Sequence, residues 1–143
     1  MTPALARRVW QARTLGAALL LPPLLSLVSF QRLASRVGRP GPARPAPVPD
    51  DASFAWWVEV VLGHLPPPWH STCLKRSVVL FHLLRRAGRA VSLCIGVRRD
   101  AGGAFVAHAW LTQDGAPYLE PPLSQPATFQ VIATFPEERR GAR

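Results

Sequence analysis

The run VVLFHLL, residues 78–84, sits inside a stretch patterned as a helix and is apolar almost all round. A helix with no polar face has to lie at the centre of a domain, with other elements covering it. That requirement organises the rest of the chain. Ser71 or Thr72 is a natural N-cap, which puts Cys73 in the first turn. Arg85 and Arg86 suit the last turn, where cations complement the helix dipole, and Gly88 supplies the C′ stop. Beyond Gly88 the pattern changes to β structure. AVSLCIGV is apolar on both faces, as a buried strand is. Residues 100–103 make a turn, GAFVAHAWLTQ is a second strand, and Asp114-Gly115 is a hairpin turn into PYLE. After Pro121-Pro122, TFQVIATF reads as a last strand and ERRGAR as a solvated tail. Helices come first and an antiparallel sheet afterwards, so the expected class is α+β.

Upstream, residues 1–37 are expected to form two helices that cap the domain. ALARRVWQARTLGAALLL is rich in helix formers, and Pro22-Pro23 interrupts it, with Pro23 near the first turn of the second helix. The apolar run Leu15–Leu27 is short against the roughly 20 residues of a membrane span and contains both prolines. No small-x-small cleavage site follows, which argues against a signal peptide. Core packing is the simpler reading of this pair. The sharper one is peripheral contact with a membrane surface or a partner, through Arg7, Arg8, Arg13, Arg32 and Arg36. Gly38 can end the second helix. Residues 38–51, with proline at 40, 42, 45, 47 and 49, read as an extended linker. Asp50 or Asp51 caps a helix from Ala52 to about Leu62, with Phe54, Trp57, Val58, Val61 and Leu62 on one face. Gly63 and Pro66-Pro67-Pro68 end it. The expected organisation is thus a helical segment 1–37, a linker 38–51, a catalytic domain 52–136 and a basic tail 137–143.

Charge and cysteine count narrow the function. The net charge is +9, nearly all from arginine, with Lys75 the only lysine. An acidic peptide or surface fits that balance. Nucleic acid is not expected, because the aromatic residues do not alternate with the basic ones. Two cysteines make no disulfide framework, so a reducing compartment, the cytoplasm, is the expected location. No GxGxxG, Walker loop or GxSxG is present. Cys73, His70 and His108 include zinc-ligating types but lack CxxC or HxxxH spacing, so no metal and no cofactor is expected.

Cys73 is the candidate nucleophile. A helix N-terminus favours the thiolate, whose free pKa is about 8.5. A small buried hydrophobe is the bland alternative for a lone cysteine, and it is the reading taken for Cys94. A thiolate needs an imidazole beside it, and the imidazole needs a third group to fix its tautomer. Among the histidines, His82 lies inside the apolar helix, and His64 and His70 lie on Pro-rich loop sequence. His108 sits on a strand between two alanines, sharing a face with Val106 and Trp110. Two acids can orient it. Asp114 is accounted for by the hairpin turn. Glu120, in a tight hairpin, falls opposite Ala109, beside His108 but on the other face, unless a longer loop or a bulge brings it round.

CLKRSVVLFHLLRRAG, then SLCIGVRR, then FVAHAW with an acid downstream, resemble the lasso-peptide B protein family. C-L-x-R-S followed by A-H-A-W, in that order, is its specific signature. LLSLVSFQRLASRVG and FQVIATFP extend the likeness over nearly the whole chain. The resemblance implies a transglutaminase-like, papain-like core and the stand-alone leader-peptidase form. It places the nucleophile on Cys73, the base on His108 and the acid on Glu120, where the family usually has aspartate, with Asp114 in reserve. It further implies a leader-bearing precursor peptide as substrate, a separate leader-binding protein that presents it, and an ATP-dependent macrolactam cyclase acting afterwards. The Cys73 N–H is one expected oxyanion donor, and the indole N–H of Trp57 or Trp69 a candidate second. Acyl transfer to an amine, or peptide binding without catalysis, are the other functions such a fold can carry.

Overall fold

The computed structural model describes residues 2–27, 32–33, 36, 49–65, 73–121 and 124–136. In order these form α1 (Pro3–Leu27), α2 (Asp51–His64), α3 (Cys73–Arg86), β1 (Ser92–Arg99), β2 (Phe105–Gln113), β3 (Ala116–Tyr118), a 3-10 turn (Pro126–Thr128) and β4 (Gln130–Phe135). The class is α+β. The all-apolar helix is central: Val78, Val79, Leu80, Phe81, Leu83 and Leu84 are buried. Helices α1 and α2 cover one side of α3 and the sheet covers the other. Its end is a Schellman motif, which satisfies two carbonyls of the last turn. Gly88 (φ 88) takes the left-handed position, Arg89 N–H donates to Leu84 O at 2.9 Å, and Gly88 N–H donates to Arg85 O at 3.1 Å.

Helix α1 corrects the expected break at Pro22-Pro23. It runs unbroken through both prolines to Leu27; residues 32, 33 and 36 beyond it are also helical. An interior proline costs about 3 kcal/mol because a backbone bond is lost and the ring crowds the preceding turn. Burial outweighs that here: Trp10, Ala17, Ala18 and Leu21 belong to the same core cluster as α3. The expected Gly38 stop, the linker as far as residue 48, the Ser71/Thr72 cap and the tail 137–143 lie outside the described residues.

On α2, Phe54, Trp57, Val58 and Leu62 are buried, and Val61 packs against the core. Asp50 is the N-cap; its carboxylate accepts from the Ser53 hydroxyl rather than from the backbone. The helix passes through Gly63 and ends at His64. No helix among the described residues is long and apolar enough to cross a membrane.

The sheet is antiparallel, in the order β3-β2-β1-β4. β1 pairs with β2 over its whole length, from Ser92↔Thr112 to Arg99↔Phe105. β2 and β3 share three pairs, Leu111↔Tyr118, Thr112↔Pro117 and Gln113↔Ala116. The hairpin turn between them has Asp114 (φ 52) and Gly115 (φ 79) left-handed, as a tight two-residue connection demands. Leu93, Leu111 and Phe135 face the helices in the common core. Trp110 and His108 lie on the other face, against Phe129.

Candidate active site

Residues three and four apart on a helix share a face. Cys73, Arg76 and Ser77 therefore project together from the first turns of α3. With Glu59 of α2, His108 and Ala109 of β2, and Glu120 and Pro121 after β3, they line a cavity of about 320 Å³. It lies where β3 has ended and the edge of β2 is open, so groups from both faces of the sheet reach it. Cys73 is exposed and begins α3, its N–H at the positive end of the helix. Ser77 is fully buried, and its hydroxyl donates to Ala109 O at 3.0 Å, fastening the helix to the strand.

His108 and Glu120 meet: Nε2 lies 2.9 Å from Oε2. A carboxylate only accepts, so Nε2 carries the proton and Nδ1 is the basic nitrogen. The ring is held by stacking on Trp110, 5.7 Å between centroids at 16°, and by Phe129 at 5.2 Å.

The register behind this contact is the tight one, with Leu111 opposite Tyr118. Continued by two pairs, it would leave Glu120 opposite Ala109 on the wrong face. No longer loop or bulge intervenes. Pairing stops at Tyr118 and Leu119 adopts φ 55, which turns the next side chain toward His108. A left-handed leucine costs about 1–2 kcal/mol. Arg76 holds it there, donating from Nη2 to Leu119 O at 2.6 Å. The same guanidinium donates from Nε to Glu59 Oε1 at 2.9 Å, with Nη1 3.8 Å from Glu120 Oε1. The Ser124 hydroxyl also donates to Glu120. A buried carboxylate is costly unless it is paired and hydrogen-bonded, and Glu120, 7% exposed, has all three partners.

Asp114 stays at the exposed hairpin tip, outside the cavity lining. His64 is exposed and donates from Nδ1 to Val60 O at 2.7 Å. His82 lines a separate cavity between α1 and α3 with Trp10 and Leu83. His70 and Trp69 lie outside the described residues. Trp57 is corrected as an oxyanion donor: it packs edge-on against Phe54 at 5.7 Å in the core, because its face of α2 is the apolar one. Cys94 is buried, its sulfur 3.8 Å from the hydroxyls of Thr112 and Thr134. Among the described residues no group of three His, Cys, Asp or Glu is placed to hold a metal ion.

Arg76, Glu59 and Ser124 were not singled out from sequence. Arg76 had a signal, a cation three residues after the candidate nucleophile and so on its face of the helix; Ser124 had none. A second carboxylate steadies the same region. Asp51 accepts from the Tyr118 hydroxyl and from Arg89 Nε at 2.8 Å. The hydrogen bond to Asp51 raises the Tyr118 phenol above its ordinary value, because only the protonated form makes it.

Compared with known families, residues 17–134 match a family model described as the transglutaminase-like superfamily. No curated protein and no solved structure matches the chain.

Proposed function

The chain belongs to the transglutaminase-like superfamily, and from that premise we propose that it is a cysteine peptidase that removes the leader from a lasso-peptide precursor. The observation that carries the reading is the His108–Glu120 pair, 2.9 Å apart, in the cavity that the exposed Cys73 also lines. In this reading the Cys73 thiolate attacks the carbonyl at the leader–core junction. The N–H of Cys73 donates to the developing oxyanion. His108 gives its proton to the leaving amine, and a thioester remains. His108 then takes a proton from water, the hydroxide adds to the thioester, and the thiolate leaves. Glu120 keeps the imidazole in one tautomer and stabilises its charged form. The motif resemblance supplies the substrate: Cys73, Arg76 and Ser77 of C-L-x-R-S and His108 and Ala109 of A-H-A-W line this cavity. A separate leader-binding protein would present the precursor, and a cyclase would close the released core.

The test is cleavage of a lasso precursor, followed by mass spectrometry, by wild type, Cys73→Ala and His108→Ala. Both variants are expected to be folded and inactive. Near-wild-type cleavage by folded Cys73→Ala would remove the proposal. Product mass also separates hydrolysis from acyl transfer to an added amine, the other fate open to the same thioester.

A further inference from the structure

We propose that the open half of β2, residues Phe105–Ala109, is the docking edge for the peptide substrate, which pairs there as an additional strand and so runs its backbone into the Cys73–His108 cavity. The inference rests on the peptidase reading for the occupant, but its geometry is independent of the acid or base roles. β1 pairs with β2 along its full length on one side. On the other side β3 pairs with Leu111, Thr112 and Gln113 alone. In an antiparallel sheet the N–H and C=O of one residue point the same way, and successive residues alternate sides. Gln113 and Ala116 flank the two-residue turn, so Gln113 bonds to β3 and the Ala109 carbonyl, four residues back, is likewise turned away from β1, where the Ser77 hydroxyl takes it. Ala107 and Phe105, two and four residues back, share that direction. Their amides and carbonyls thus face outward, on an edge where no described strand pairs with them.

The edge is open to solvent. Ala107 is exposed and Phe105 is 70% exposed. An unpaired edge of this kind is a template for another chain, and extended peptides are recognised in this way, with main-chain hydrogen bonds giving affinity. The edge leads to Ala109, where the cavity begins, with Cys73 lining it from the helix and His108 from the strand. A strand added beside Ala107 therefore presents its next peptide groups to the thiol. The methyl of Ala107 leaves room for that strand, and the buried Ser77 hydroxyl closes the edge so that pairing cannot extend past Ala109.

Ala107→Pro tests this, because it removes one outward N–H without removing a bond to β1, and edge positions tolerate proline. The probe is a library of internally quenched octapeptides, and the best-cleaved member is resynthesised with its amides N-methylated one at a time. We expect Ala107→Pro to lower kcat/KM roughly three- to tenfold, the effect of one lost hydrogen bond, with the iodoacetamide rate at Cys73 unchanged. N-methylation should be damaging at alternate residues. Unchanged kcat/KM in Ala107→Pro, or no alternation in wild type, overturns edge docking and leaves the peptidase reading intact. If Ala107→Pro also loses thiol reactivity, the N-methyl series in wild type decides alone. If wild type cleaves no library member, the peptidase reading is judged by precursor cleavage with the leader-binding protein added, and docking by amide chemical shifts on adding the library. Shifts centred on Phe105 and Ala107 would then support it, and shifts elsewhere would overturn it.

Discussion

Arg76 shows how one side chain decides what a neighbouring acid can do. Its fork reaches Glu59, the Leu119 carbonyl and Glu120 together. A lysine offers one point charge in place of that planar fork. Arg76→Lys should therefore remain folded but lose activity, while Arg76→Met should cost about 3 kcal/mol or more of stability, because it strands a buried carboxylate. Glu120→Gln keeps the shape but not the charge, and should lower the cleavage rate roughly 10²- to 10⁴-fold, less than loss of Cys73. Asp114→Asn should be silent, since its carboxylate stands at the exposed turn. Urea midpoints and cleavage rates check each. If Arg76 acts through Glu120, the Arg76→Lys and Glu120→Gln losses will not add in the double variant. A damaging Asp114→Asn with a silent Glu120→Gln would mean that the acid lies elsewhere.

At the level of elements, Gly96 sets the shelf under His108. It stands opposite His108 in the β1–β2 register. A Cβ there would lie 2.8 Å from Trp110 Cη2, 2.8 Å from Phe129 Cβ and 3.0 Å from Gln130 O. Gly96→Ala should cost about 1–3 kcal/mol, typical of overpacking, and slow cleavage by moving the two rings against which His108 rests. Thermal melts and turnover measured together check it; a lowered Tm with undisturbed turnover would show that the rings do not set the imidazole. Most elements were legible from sequence because local rules and tertiary packing agree in them. VVLFHLL declares a central helix, and Asp114-Gly115 declares a tight hairpin and its register. The placement of Glu120 was not legible, because nothing in a leucine announces a left-handed conformation. It depends on Arg76, 43 residues earlier in the chain. α1 was misread for the converse reason: its prolines speak locally against a helix, and the buried Ala17, Ala18 and Leu21 overrule them.

For the whole molecule, the +9 charge is distributed unevenly in its uses. Arg7 lies over Trp57 at 5.7 Å and Arg13 over Trp10 at 4.9 Å, so both help cover the core. Arg8 is exposed, which makes it the cleaner probe of a partner surface. Turnover of precursor is expected to be weak alone and to rise steeply once a leader-binding protein is added, because tethering raises the effective concentration of the scissile bond. Arg8→Glu should blunt that rise; a rate indifferent to the partner would mean unaided recognition. Stability should also fall in strong alkali. The Tyr118 phenol is raised above its ordinary value near 10, so its contribution is complete below about pH 10 and fades as the pH rises through the raised value. Tyr118→Phe should flatten that dependence in urea melts. The bonds from Tyr118 to Asp51 and from Arg76 to Glu59 and Leu119 have a further consequence. β3, three residues long, would fray readily by itself, but its far end is moored to α2 directly through Tyr118 and by way of Arg76 of α3, which holds Leu119 and Glu59 together. Amide hydrogen exchange at Tyr118, Leu119 and Glu120 should then follow the opening of α2 rather than that of the hairpin tip. Anything that loosens α2, a helix contributing neither nucleophile nor base, would disarm the imidazole from a distance.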